Sequence, residues 1–494
     1  MLKYFKVNTK NGAIVKEKVG WIKGVLSDFG EVVSGGTPKT KVAEYWGEDI
    51  SWITPADLSG YSEKYIHKGR KSITHLGLKN SSAKLMPKGS VLFSSRAPIG
   101  YVAVAGNELC TNQGFKSLVP KEDVNSDFLF YYFKSIKQLA EKKASGTTFK
   151  EISGKVFADL PLCLPPLPEQ RAIVSKIELL FSELDNGIAN LKLAQEQLKV
   201  YRQAVLKKAF EGELTKKWRE QQMDLPDAGD LLEQIQRERE EAAKATGKTV
   251  KPVKPLTEAK MAELPEKWVW TRVEELGEVT GGLTKNSKRN KMSTTLPYLR
   301  VANVYSNELR LDELKYIGIE SQEIPRVLLK EGDLLVVEGN GSVDQIGRVA
   351  IWNGKISPCV HQNHIIKVRF QIVEIGKFVL FWLLSFEGRN QITKIASSTS
   401  GLYTLNISKI ASLSIPLAPL PEQQAIIQEI ETRLSVCDKI EQDIKENLEK
   451  AEALRQSILK KAFEGKLLNE RELAEVRKAE DWEPAEVLLE RIRK

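Results

Sequence analysis

At 494 residues the chain is too long for a single hydrophobic core, and its length implies roughly three domains. With 41% hydrophobic and 28% charged residues it has the composition of an ordinary soluble protein. No apolar run approaches the roughly 20 residues of a membrane helix, and the start Met1-Leu2-Lys3-Tyr4 has no apolar signal core behind it. Cys110, Cys163, Cys359 and Cys437 lie far apart with no CxxC pair, which argues against a disulfide framework or zinc ribbon and fits a reducing cytoplasm.

The net charge of +9 is unevenly placed. Residues 1–160 hold 24 Lys and Arg against 15 Asp and Glu, a balance of +9, and residues 267–412 hold 19 against 14, a balance of +5. The remainder must therefore carry −5 (9 − 9 − 5). Two basic bodies joined by slightly acidic segments suggest that the bodies meet a polyanion and the segments do not.

Residues 1–20 are polar and aperiodic and read as a lead-in. From Trp21 to residue 165, short apolar runs are broken by Gly, Pro and Ser: Gly30 to Pro38, Ile50 to Pro55, Ser90 to Ser94 and Ile99 to Val104. These predict strands joined by tight turns. Asp127 to Glu141 predicts one helix, and a last strand falls near Leu160-Pro161-Leu162.

Residues 166–247 are helical in pattern. Pro168 and Glu169 sit where a proline and an acidic residue favour a helix start. Two series then step by seven: Ile173, Leu180, Gly187, Ala194, Tyr201, and Ile177, Leu184, Leu191, Leu198, Val205. That spacing predicts a coiled-coil seam of about 60 Å. A Lys/Pro-rich linker, 248–266, follows, then a second body over 267–418 and a second helical region over 419–494. The second helical region repeats the first: Leu167-Pro168-Glu169-Gln170 recurs 253 positions later as Leu420-Pro421-Glu422-Gln423. The segment ending Lys207-Lys208-Ala209-Phe210-Glu211-Gly212 recurs as Lys460 to Gly465. Its seam reads Ile426, Ile430, Cys437, Ile440, Ile444, Ala451, Leu454 and Ile458, with Arg433 and Asn447 as polar interruptions able to fix register.

The two bodies echo each other more faintly: Trp268 matches Trp21, Gly277 to Gly282 matches Gly30 to Gly35, and Cys359-Val360-His361-Gln362 matches Cys110-Thr111-Asn112-Gln113. The expected fold class is α+β: two similar globules joined by two long antiparallel coiled-coil helices in a pseudo-twofold repeat.

Catalytic motifs are missing. There is no GxxxxGK[ST] loop, no GxGxxG cradle, no GxSxG elbow and no Asn-Pro-Pro or Asp-Pro-Pro amide-methylation signature. Cys359, His361 and His364 could be drawn as a metal site, but the matching stretch of the first body has no histidine, so no metal is expected. What the bodies offer is amide- and hydroxyl-rich loops beside basic charge. The candidate DNA-binding residues are Thr37, Lys39, Ser94, Arg96, Asn112, Gln113, Thr147, Thr148 and Lys150 in the first body. In the second they are Lys285, Lys288, Arg289, Arg300, Asn303, Asn340, Ser342, His361, Gln362, Asn363, Ser400 and Tyr403. Arg pairs with guanine and Asn or Gln with adenine through two hydrogen bonds, while Ser, Thr and Lys hold phosphates.

The paired LPEQ-headed helices ending near KKAFEG, between two dissimilar basic globules, make the chain resemble the specificity subunits of type I restriction–modification enzymes. The resemblance covers nearly the whole chain. It implies two target recognition domains that each read half of a split duplex sequence. It also implies an antiparallel coiled coil that sets the gap and docks two modification (methyltransferase) subunits, with restriction/translocase subunits joining the complex. Catalysis and cofactors would belong to those partners: S-adenosylmethionine in the adenine methyltransferase, ATP and Mg in the restriction subunit, none in this chain. Without the resemblance, a coiled-coil scaffold whose basic globules bind RNA or protein fits the same repeat and charge.

Overall fold

The computed structural model describes residues 20–96, 98–146, 150–245, 253, 262–399, 402–484, 487–488 and 490–491. Nearly all of the expected lead-in and most of the linker lie outside the described residues. The chain forms two compact units: residues up to 191 with those from 445 onward, and residues 192–444. Each contains one globular body and half of each long helix.

In the first unit the body is closed by its own ends, strand Ile22–Val25 pairing antiparallel with Pro161–Leu164. Inside, a five-stranded sheet runs in the order Gly30–Ser34, Lys116–Pro120, Val91–Phe93, Val102–Ala105, Tyr65–Ile66. A three-stranded sheet places Trp46–Ile53 between Lys71–Ile73 and Cys110–Thr111. The helical stretch is two helices, Ser126–Ser135 and Lys137–Lys143, where the periodicity predicted one. Ile136, at φ −94° and ψ 8°, leaves helical geometry between them while its side chain stays buried. The apolar stripe therefore continues across the bend, and periodicity alone could not register it.

The second unit repeats the plan. Val269–Arg272 pairs antiparallel with Ser414–Leu417. The main sheet runs Gly277–Gly281, Ile365–Phe370, Leu334–Val337, Val349–Ile351, and the smaller one sets Thr295–Leu299 between Lys315–Gly318 and Val360–His361. Gly35 and Gly282, equivalent positions, owe their identity to close approach: a Cβ on either would lie 1.9 Å from the Asn112 carbonyl oxygen or 2.2 Å from that of His361. The Gly-Gly pairs mark these contacts between adjacent segments.

The helices Leu167–Phe210 and Leu420–Phe463 each span 44 residues, about 66 Å at 1.5 Å per residue. Both stop at a glycine in the left-handed region, Gly212 (φ 73°) and Gly465 (φ 68°), where a Cβ would be strained. Within each unit the helix halves pair antiparallel, flanked by ion pairs. Asp185 meets Arg455 in the first unit, and Arg202 meets Asp438 at 2.7 Å and Glu441 at 2.9 Å in the second.

The seam is narrower than the sequence predicts. Of the two series on the first helix, Ile177, Leu184, Leu191, Leu198 and Val205 are all buried or half-buried; in the other, Ile173 is buried and Leu180 and Ala194 half-buried, while Gly187 and Tyr201 face solvent. On the second helix Ile430, Cys437, Ile444, Ala451 and Ile458 are buried, and Ile440 and Leu454 are exposed. One residue per heptad of the second helix thus carries the central burial. Arg433 lies on the flank, paired with Glu429 at 2.8 Å, and Asn447 is exposed, so neither interrupts the seam.

At its ends the seam widens into the globular cores. In the first unit Ile173, Val174, Ile177 and Phe181 join Phe128, Tyr132, Ile458 and Leu459 in one cluster, and Phe463 packs edge-on against Phe128 and Tyr132. In the second, Val205, Phe210, Ile426 and Ile430 share a cluster with Trp268, Phe378 and Trp382, and Phe210 packs edge-on against the last two. Burying a phenylalanine stabilises by about 1.5–3 kcal/mol, which gives the repeated KKAFEG phenylalanine its structural role.

Candidate nucleic-acid interface

The two globular bodies hang from the helices by one recurring device. Trp21 Nε1 donates to Glu169 Oε1 at 2.9 Å, and Trp268 Nε1 donates to Glu422 Oε2 at 2.9 Å. The glutamine beside each glutamate fastens the preceding strand: Gln170 Nε2 donates to the Pro165 carbonyl at 2.9 Å, and Gln423 Nε2 to that of Ala418 at 2.7 Å. These residues carry no surface chemistry; they fix where the loops stand. Nothing in the spacing linked the tryptophans to the glutamates, although both were visible as repeats.

In the first body the segment 35–40 lies against Cys110–Gln113. Gly36 N donates to the Thr111 carbonyl at 2.9 Å, and the Thr37 hydroxyl donates to Gln113 Oε1. Asn112 turns its Oδ1 to Gly114 N at 2.9 Å, leaving Gln113 and Lys39 exposed. Arg96 pairs with Glu151 at 2.9 Å, beside the exposed Lys150, and Lys116 reaches the same carboxylate at 3.6 Å. Ser94 is fully buried, donating to the Pro98 carbonyl and accepting from Tyr101 N, each at 2.8 Å, so its hydroxyl is used inside the fold. Thr147 and Thr148 lie outside the described residues.

In the second body Lys285 and Lys288 are exposed, whereas Arg289 is clamped by Glu323 at 2.6 Å and 2.8 Å. The guanidinium holds the Glu323 carboxyl down to about 2, well below the usual carboxylate range. Asn303 is buried: its Oδ1 accepts from Arg300 N at 2.9 Å, and its Nδ2 donates to the Arg310 and Glu313 carbonyls. Arg300 itself donates to the Glu313 carbonyl at 3.1 Å. His361 is fully buried with Nδ1 2.8 Å from the Ile365 carbonyl. Burial pushes it down to about 3, so its ring is neutral at pH 7. Ser94, Asn303 and His361 thus belong to the scaffold, not to a surface. Ser94 and Asn303 meet interior carbonyls and amides with their polar atoms, and His361 meets a carbonyl with Nδ1 while its buried Nε2 has no partner among the described residues.

Gln362 and Asn363 are half-buried and held by their backbones to Leu299 and Leu283. Asn340 and Tyr403 are brought together as paired residues of adjacent strands, and Ser342 is exposed nearby in sequence. Ser400 lies outside the described residues. Tyr305, not among the residues expected from the sequence, carries over its ring the guanidinium carbons of Arg310 at 3.8 Å and Arg348 at 4.6 Å. An aromatic between dispersed arginines leaves no periodic signal. Among the described residues no group of three or more His, Cys, Asp or Glu is placed to hold a metal, and no helix is long and apolar enough to cross a membrane.

The family described as type I restriction modification DNA specificity domain matches this chain twice, over residues 18–193 and 265–450. Each match takes in one body, its tryptophan and most of the long helix after it. The chain belongs to this family. Among its relatives, the type I restriction enzyme MjaIX specificity subunit of Methanocaldococcus jannaschii is 42% identical over 192 residues, 38% of this chain and 43% of that protein. The EcoKI specificity subunit of Escherichia coli K12 is 24% identical over 468 residues, covering 91% of this chain and 89% of the relative. The fold is that of the HsdS subunit from Thermoanaerobacter tengcongensis, with a TM-score of 0.58 at 18% identity over 91% of this chain and 99% of that one. A chain solved in a study of assembly and conformational transition of the type I R-M system aligns with a TM-score of 0.63, at 18% identity over 92% of this chain and all of the other. The chain is a type I restriction–modification specificity subunit with two DNA specificity domains in tandem.

Proposed function

We propose that the two specificity domains, 21–165 and 267–418, each read one half of a split duplex DNA target. In this reading the paired helices set the gap between the halves and dock two adenine-methyltransferase subunits, through which restriction subunits join. The carrying observation is the contrast between scaffold and surface. The order of four strands in the main sheet, terminal strand pairing and tryptophan–glutamate contact repeat in both bodies, while the loops after the equivalent Gly35 and Gly282 differ, Gly36-Thr37-Pro38-Lys39 against Leu283-Thr284-Lys285-Asn286. A repeated scaffold suits an identical partner met twice, and dissimilar loops suit two different sequences.

Exposed Lys39, Gln113, Lys150, Lys285 and Lys288 are the candidate contacts, the lysines for phosphates and the glutamine for an adenine edge. Arg96 would reach DNA by exchanging Glu151 for a phosphate or guanine. Methyl transfer to adenine requires the base to leave the stack, and in this reading the partner subunit, which binds S-adenosylmethionine, receives it. This chain orients the duplex and catalyses nothing.

The test is domain exchange. Replacing residues 21–160 by the matching domain of another family member, then mapping methylated adenines in cells, should change one half-site and preserve the other and the gap. A change in both halves would refute independent reading. Methyl transfer by the purified chain alone would refute the division of labour.

A further inference from the structure

We propose that a notch in the first specificity domain, floored by Trp46 and walled by Lys68, Arg70 and Lys71, is a DNA-backbone clamp that adds affinity without reading sequence. This rests on the reading that the domain binds duplex DNA. The notch exists because strand Trp46–Ile53 is interrupted. Trp46 and Ile50 both pair with Ile73, so residues 47–49 bulge out of the ladder, and such bulges re-aim side chains at the edges of sheets. The resulting cavity is open to solvent, about 420 Å³, with Thr40 and Ser72 adding hydroxyls to its lining. Its floor is rigid: Trp46 stands edge-on to Trp52 with ring centroids 5.0 Å apart. Lys71 Nζ lies 5.5 Å from the Trp46 ring centroid.

Charge decides the ligand. Three cations face the cavity against one carboxylate, Glu48. Arg96 and Arg310, by contrast, are each held by an acid, Glu151 and Glu308. Among the described residues Lys68 and Lys71 have no carboxylate within 4.0 Å, and Arg70, 75% exposed, meets Asp57 only at 3.6 Å. The Lys68 and Lys71 ammoniums, neither held by an acid, repel each other, and a polyanion relieves that repulsion. Lysine ammoniums and hydroxyls are point donors suited to phosphate oxygens; the planar amides that pair with base edges are absent from the lining. The notch also adjoins the loop already implicated, since Trp46 Nε1 donates to the Lys39 carbonyl at 3.4 Å and Thr40 belongs to both.

The experiment measures binding of the full chain, assembled with its modification subunits, to a mixed-sequence duplex over a range of salt. Wild type is compared with Lys68→Ala/Lys71→Ala and with the charge-keeping Lys68→Arg/Lys71→Arg. Both lysines are exposed, so the folded state and its melting midpoint should be unchanged. Losing two phosphate contacts should make the slope of log affinity against log salt shallower by about 1.8. The arginine pair should restore it, and the methylated sequence should stay the same in all three. An unchanged slope in the alanine pair, beside a steep one in wild type, overturns the clamp alone. A change of methylated sequence makes the notch a base reader and also overturns it. A wild-type complex with no salt-dependent duplex binding overturns the clamp together with the DNA reading beneath it.

Discussion

The indole of Trp268 and the carboxylate of Glu422, 154 positions apart in sequence, meet at 2.9 Å in the interior of the second unit. Glu422 also accepts from Thr215 Oγ1 at 2.7 Å and Arg219 Nε at 2.9 Å. One fully buried carboxylate therefore ties together the start of the second body, the start of the second long helix and the segment after the first. A buried anion with three donors is stable only while all three are present.

Glu422→Ala should accordingly be costly. It strands two buried neutral donors and leaves the Arg219 guanidinium with only the Gly212 carbonyl, and breaking a buried pair from one side costs about 3–5 kcal/mol. Chemical denaturation followed by tryptophan fluorescence would measure it. A loss below about 1 kcal/mol would mean that water replaces the carboxylate without penalty.

The seam makes a second quantitative claim. Ile444 is 4% exposed, and Ile440, one turn away, is 41% exposed. Ile444→Ala should cost about 2–5 kcal/mol, and Ile440→Ala less than about 1 kcal/mol. Equal losses would contradict a seam one residue wide on the second helix.

His361 predicts a dependence on pH. Its folded value is about 3 against an ordinary 6.5, because burial disfavours the cation. Between those values the unfolded chain binds the proton and the folded one does not, so stability is fully present above about 6.5 and falls as pH drops toward 3. His361→Asn, which installs the residue found at the equivalent position of the first body, should flatten that window. Melting midpoints at several pH values would show it.

Glu323 acts lower on the scale. Its carboxyl is held at about 2 by the Arg289 guanidinium, against an ordinary 4.5. The stabilisation it supplies is present above 4.5 and is lost as pH falls toward 2. Glu323→Gln should remove that acid-sensitive component and leave the histidine window unchanged.

If the helices set the gap, inserting four residues into one of them rotates its face by about 40° in all, four steps of about 100° against a full turn. The tolerated gap between methylated half-sites should then change, or assembly with the modification subunits should fail. An intact complex with an unchanged gap would exclude the ruler role.

Much of this molecule was written in its sequence. Heptad spacing, prolines at the first turn and glycines past the last fixed two long helices, because helix geometry follows from local periodicity and local backbone freedom. The repeat implied one scaffold used twice, and the bodies do share strand order and closing strand pairs. Other features depend on partners far away along the chain. Both heptad series are apolar enough to be buried, and only packing decides that Ile177 and Ile430 lie in the seam while Tyr201 and Ile440 face water. Asn303, His361 and Ser94 have side chains suited to reading bases, yet each satisfies interior backbone groups, a use that composition cannot reveal. The LPEQ motif with which the repeat begins was legible as a repeat from the start. That its glutamate receives a tryptophan indole, and its glutamine fastens the preceding strand, was settled only when the chain folded and brought those donors within hydrogen-bonding distance.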